Sequence, residues 1–106
     1  DEELWERITV RDLLKTFSSI LSSYPTERVV DMYEEVTVNE KITLIYELLE
    51  SSGEFMFTDL VVKKSSIMEV ICAFLAVLEL VKAGTIVVFQ NKVFGGILLK
   101  AKGVAE

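Results

Sequence analysis

Few residues in this chain are of the types that usually perform chemistry. Cys72 is the single cysteine, and histidine is absent. A thiol nucleophile needs a neighbouring base, and here there is no imidazole to act as one. Cys72 also lies between Ile71 and Ala73 in an apolar run, the setting of a packing side chain. Without a second thiol it forms no internal disulfide and no thiolate metal pair, which fits a reducing compartment. The adjacent carboxylates Glu34-Glu35 sit in a polar stretch and read as solvated charge. Gly95-Gly96 lacks the further glycines and the lysine with which a phosphate loop cradles an anion. The pattern points to a protein with no catalysis, metal or cofactor of its own.

Nucleic-acid binding is the next chemistry to weigh. The net charge is −6, and an acidic chain is a poor partner for phosphate, whose neutralisation by Lys and Arg drives most of that affinity. The charge is uneven, however. Residues 1–59 carry 14 acids against 5 bases, whereas residues 60–106 carry 3 acids against 6 bases. Lys63, Lys64 and Lys92 could touch a phosphate backbone, although solvated surface lysines are the simpler reading.

The elements that must position these residues announce themselves by their starts. Thr9…Asp12, Thr37…Glu40 and Ser66…Glu69 each place a hydroxyl three residues before a carboxylate. The hydroxyl can cap a free backbone N–H, and the carboxylate favours the positive end of the helix dipole. An apolar pattern of helical period follows each one. The first is Val10, Leu13, Leu14, Phe17, Ile20, Leu21 and Tyr24, a continuous stripe that ends at Pro25. Ile8 and Leu13 are spaced as a hydrophobic staple. The stripe, represented by Leu13, Leu14, Phe17 and Leu21, packs either on the domain that follows or on a partner.

The second pattern runs from Val38 to Leu49 and closes at Gly53, suited to a left-handed C-cap. Phe55-Met56-Phe57 is a short extended piece, and Thr58–Val61 a short helix. A third full helix covers Ser66–Ala83, ended by Gly84. Thr85–Phe89 and Val93–Leu99 are rich in β-branched and aromatic residues around Gln90-Asn91-Lys92, which makes them a hairpin with Gly95-Gly96 inside its second strand. Strand, helix, short helix, helix, hairpin is the order of a winged helix. The expected fold is therefore α+β, a winged helix preceded by an amphipathic α-helix, divided into residues 1–35 (helix and connector) and 36–106 (winged helix).

Winged helices often lay their third helix in the DNA major groove. Here that helix has no Arg, Asn or Gln to read base edges and carries Glu69 and Glu79. It is apolar nearly all round, with Glu69, Ala73, Ala76, Glu79 and Ala83 as its small or polar strip. Such a helix is buried on most sides, by its own core or also by a partner. The hairpin is apolar on both faces, where a half-exposed one would alternate. One face serves the core, and the other is an apolar patch of the kind that marks interaction surfaces. Its free edge could also extend a partner's sheet.

At these residues the sequence resembles the C-terminal domain of the ScpA family, the kleisin subunit of the bacterial SMC condensin complex. Val36–Ile42 resembles the family's approach to its first winged-helix helix, and Gly53–Leu60 its glycine, extended aromatic, acidic and leucine segment. Phe74–Lys82 is similar to its most recognisable helix, and Gln90 with Phe94-Gly95-Gly96-Ile97 to its wing. Ile8–Leu14 resembles the helix upstream of the domain. Gly96 departs from the acidic residue common at that position.

The resemblance implies a non-catalytic bridging subunit in chromosome condensation and segregation. Its C-terminal winged helix would bind an SMC ATPase head, and the full-length protein would bind a ScpB dimer. Such a protein is cytoplasmic and nucleoid-associated, and residues 1–35 would end the kleisin middle region. The two-faced wing suggests which residues face the SMC head: Phe89, Val93 and Phe94, then Val87 and Leu98. The alternative is a DNA-binding winged-helix transcriptional regulator, and self-association as a homodimer is a third reading. No direct sequence-specific DNA binding and no membrane partner are expected. No uninterrupted apolar run approaches the roughly 18–20 residues that span a bilayer. The acidic opening Asp1-Glu2-Glu3 is no secretory leader, and its lack of Met reads as a piece of a longer protein.

Overall fold

Three hydroxyl side chains set where the helices begin. In a computed structural model of the protein, which describes residues 4–23, 37–62, 66–91 and 96–103, helix α1 covers Val10–Ser22. Thr9 Oγ1 accepts the Asp12 N–H at 3.2 Å, and Asp12 Oδ2 accepts the Thr9 N–H at 3.2 Å, a complete capping box. Thr37 Oγ1 accepts the Glu40 N–H at 3.0 Å at the start of α2, Val38–Ser52. Ser66 Oγ accepts the Glu69 N–H at 3.3 Å at the start of α3, Ile67–Lys82. Each start is the one its sequence spacing predicts.

The helix ends are as local. Gly53 stops α2 at φ 80°, a left-handed conformation that an L side chain resists. Past α3, the Thr85 N–H reaches the Leu80 carbonyl at 2.9 Å and the Gly84 N–H the Val81 carbonyl at 3.1 Å. That pairing is a Schellman motif, with Gly84 at φ 82° supplying the left-handed residue.

Four short strands form one antiparallel sheet in the order β1-β3-β4-β2. They are β1 (Glu6–Arg7), β2 (Glu54–Met56), β3 (Ile86–Gln90) and β4 (Ile97–Ala101). The hairpin β3–β4 pairs Phe89 with Leu98 and Val87 with Lys100. β2 adds to β4, with Met56 opposite Leu98, and β1 adds to β3, with Arg7 opposite Phe89. A 3-10 turn, Phe57–Leu60, follows β2, where the Met56 N–H donates to Asp59 Oδ2 at 3.0 Å.

β1 has no counterpart in the sequence reading, and the strand expected just before α2 falls outside the described residues. Two expectations need correction here. The hairpin is the centre of the sheet rather than a free wing, since β1 and β2 occupy both its edges. The second strand starts at Ile97, four residues later than its apolar run suggests, because Gln90 pairs with Ile97; Gly96 lies just before the strand, not inside it.

One core joins every layer. Leu13 of α1, Ile45 of α2, Phe55, Leu60, Phe74 and Val77 of α3, and Ile86, Val88 and Leu99 of the hairpin belong to a single buried cluster. Phe74 is its aromatic centre, stacked on Phe17 at 4.2 Å and tilted against Phe57 at 4.3 Å. α3 is turned differently from its sequence reading. Of the small or polar strip, Glu79 and Ala83 are exposed, but Glu69, Ala73 and Ala76 are buried, while Leu75 points outward at 42% exposure. Glu69 on this strip meets Lys41 of α2, and Ala73 and Ala76, four and seven residues on, lie on the same side of the helix.

Candidate functional site

The outward face of the sheet is built by register. Residues opposite one another in an antiparallel ladder share a face, as do residues two apart along a strand. Arg7, Phe89, Leu98 and Met56 therefore form one row across the sheet, with Val87, Lys100 and Glu54 in the row beside it. The face is apolar at its centre and charged at its margins. Phe89 is half-buried, and the Lys100 ammonium lies over its ring at 5.4 Å from the centroid. Lys100 Nζ also meets Glu54 Oε1 at 3.6 Å, an exposed pair of small energetic value.

Of the residues expected on this surface, Val87 is 4% and Leu98 8% exposed, so their side chains are already covered within the chain. In the ladder Leu98 lies between Phe89 and Met56, and Val87 lies beside Lys100. Phe89 retains accessible surface. Val93 and Phe94 lie outside the described residues.

Gly96 sits beside the same face. A Cβ there would come within 2.7 Å of the Met56 methyl carbon, so the missing side chain leaves that methyl its place. This gives the departure from an acidic residue a steric counterpart.

The α1 stripe splits between two environments. Leu13 is 1% exposed and Phe17 stacks on Phe74 of α3, whereas Leu14 is 45% exposed and Leu21 half-buried. The described part of the stripe is thus seated on its own domain, with Leu14 on the solvent side.

α3 offers a second surface, an open groove of about 580 Å³ against the start of α2. Val38, Asn39, Leu75, Leu78, Glu79 and Lys82 line it. α3 itself brings no Arg, Asn or Gln to this surface to contact base edges.

Sequence reasoning missed one charged device. Lys41 of α2 is buried, and its Nζ donates to Glu69 Oε1 at 2.6 Å and to the Leu60 carbonyl at 2.7 Å. Glu69 Oε1 also accepts the Val62 N–H at 3.2 Å. The signal was present: Lys41 falls three residues after Val38 and four before Ile45, on the apolar stripe of α2. Glu69, read as a surface acid that would repel phosphate, is instead inward and paired. Cys72 lies buried nearby, and burial pushes its thiol pKa up, partly offset by the Lys41 charge. A thiol so placed is a poor nucleophile.

Among the described residues, no helix is long and apolar enough to cross a membrane. No solved structure matches the chain significantly. The sequence is similar to segregation and condensation protein A of several bacteria. It is 28% identical to that of Clostridium acetobutylicum over 116 residues, covering 100% of this chain and 45% of the relative. With that of Clostridium perfringens strain SM101 it shares 26% identity over 112 residues, again 100% of this chain and 45% of the relative. With that of Streptococcus pneumoniae it shares 31% over 106 residues, 96% of this chain and 44% of the relative. The chain thus spans a little under half the length of these relatives. The family these proteins are named for concerns segregation and condensation, not a catalysed reaction. The model of the family described as segregation and condensation protein ScpA matches residues 6–101, and the chain belongs to that family.

Proposed function

We propose that this chain is the SMC-facing end of a ScpA-type kleisin, a non-catalytic bridge acting in chromosome condensation and segregation in the cytoplasm, at the nucleoid. In this reading residues 36–106 are a winged-helix domain that docks on an SMC ATPase head. Residues 1–35 end the kleisin middle region, which in the full-length protein engages a ScpB dimer. Any nucleotide would be bound and hydrolysed by the SMC partner.

The observation that carries the proposal is the outward sheet face: an apolar centre, with Phe89 still accessible, inside a rim formed by Arg7, Lys100 and Glu54. Interfaces commonly pair an aromatic anchor with a polar rim. Because Val87 and Leu98 are covered, Phe89 is the principal contact among the described residues, with Val93 and Phe94 proposed beside it from sequence.

Phe89→Asp tests this. The variant should lose capture of an isolated SMC head in a pull-down, by at least tenfold in apparent affinity, while circular dichroism shows the native helical content. Undiminished capture by a folded variant would take this face out of consideration. The DNA-binding alternative gains little from the geometry, because the outward surface of α3 presents Leu75, Glu79 and Lys82.

A further inference from the structure

The Lys41–Glu69 pair joins the first turn of α2 to the first turn of α3, and its reach extends to the chain between the 3-10 turn and α3. The Lys41 ammonium holds the Leu60 carbonyl, and the Glu69 carboxylate holds the Val62 N–H. The Glu69 N–H is held in turn by the buried Ser66 hydroxyl. Two backbone groups on either side of Val61 are therefore gripped by one ion pair, although Val62 itself is 72% exposed.

We propose that this pair is a conformational latch, which selects one rotation and register of α3 against α2 and one course of the 60–62 segment without adding net stability. The argument begins with α3. Ile67, Met68, Val70, Ile71, Phe74, Leu75, Val77, Leu78, Leu80 and Val81 surround the helix with apolar side chains. Apolar burial is non-directional, so a helix of this composition can satisfy a core in more than one rotation. Residues along a helix are 100° apart, and any turn of that size would carry the Glu69 carboxylate away from Lys41 and leave two buried charges unpaired. That penalty falls on every alternative packing and on none of the native one. A buried pair is weak evidence of stability in itself, because desolvation cancels most of the attraction. Its distinguishing effect is specificity.

The test replaces both partners at once, with Lys41→Met/Glu69→Leu. Thermal unfolding should show a midpoint equal to or above that of the native protein. Amide exchange of the Val62 N–H should be as slow as that of interior α3 amides in the native protein and should rise to the rate of a solvent-exposed amide in the double variant. The α3 methyl resonances should broaden or double. The latch is overturned if the double variant keeps Val62 protection and a single set of sharp α3 resonances. It is equally overturned if the double variant fails to fold, since the pair would then be supplying net stability. Fast Val62 exchange in the native protein would also overturn it, with no variant required.

Discussion

Asp12 shows how much one surface side chain can decide. Its carboxylate accepts the Thr9 N–H and the Thr9 hydroxyl, at 3.2 and 3.0 Å, which holds its pKa below the ordinary 3.8, with Lys15 and Arg11 assisting. A carboxyl whose pKa is lowered by folding contributes stability above its unfolded value. That contribution is lost as pH falls through the lower folded value. The start of α1 should therefore weaken on acidification below about pH 4. Asp12→Asn should flatten that part of the profile: the protection of the Asp12 and Leu13 amides, measured against the free-peptide exchange rate at each pH from 7 to 3, should fall less than in the native protein. Parallel profiles for the two proteins would mean the box does not bear the acid sensitivity. Thr9→Ala removes the other half of the box and should lower stability by about 1 kcal/mol at neutral pH, read from denaturant unfolding.

At the scale of elements, the neighbours Leu13 and Leu14 separate packing from exposure within α1. Leu13 is in the common core and Leu14 is on the solvent side. Leu13→Ala should cost about 3 kcal/mol, from lost burial and the cavity left behind. Leu14→Ala should stay within about 0.5 kcal/mol. Similar losses at the two positions in urea titrations would show that α1 does not sit on its domain in this orientation. The helices were legible in the sequence because their signals are local: three capping hydroxyls at Thr9, Thr37 and Ser66, and two closing glycines at Gly53 and Gly84. β1 was not legible. Glu6-Arg7 has no strand character of its own and becomes one only by bonding to β3, with the Ile8 N–H continuing the ladder to the Val88 carbonyl at 2.9 Å. The orientation of α3 was hidden for the opposite reason, too many apolar residues rather than too few. Its inward face is fixed by Glu69, whose partner Lys41 is 28 residues away. The candidate surface was legible in part: the two-faced apolar hairpin identified Phe89, but not that Val87 and Leu98 are covered within the chain, and the strands that flank the hairpin come from distant segments.

For the whole molecule, the strand order of the sheet limits how a partner can engage it. Both hairpin edges are occupied, so extension of a partner's sheet would have to use the outer edge of β1 or β2, two or three residues long. Strands that short offer few backbone bonds, and side-chain faces become the stronger means of recognition. A face with an aromatic centre and both signs of charge at its rim favours a protein surface over a duplex, for which a uniformly basic stripe is the usual match. The proposed division of labour within a ScpA-type protein then makes a prediction for this chain, which spans under half the length of its relatives. Immobilised as it stands, it should capture an SMC head and leave a ScpB dimer in the flow-through. It should also give no mobility shift of duplex DNA at micromolar concentration that steepens as salt is lowered. Capture of ScpB with the head left unbound would move the function of these residues to the middle of the kleisin. Salt-steep retention of DNA with neither protein bound would favour the regulator instead.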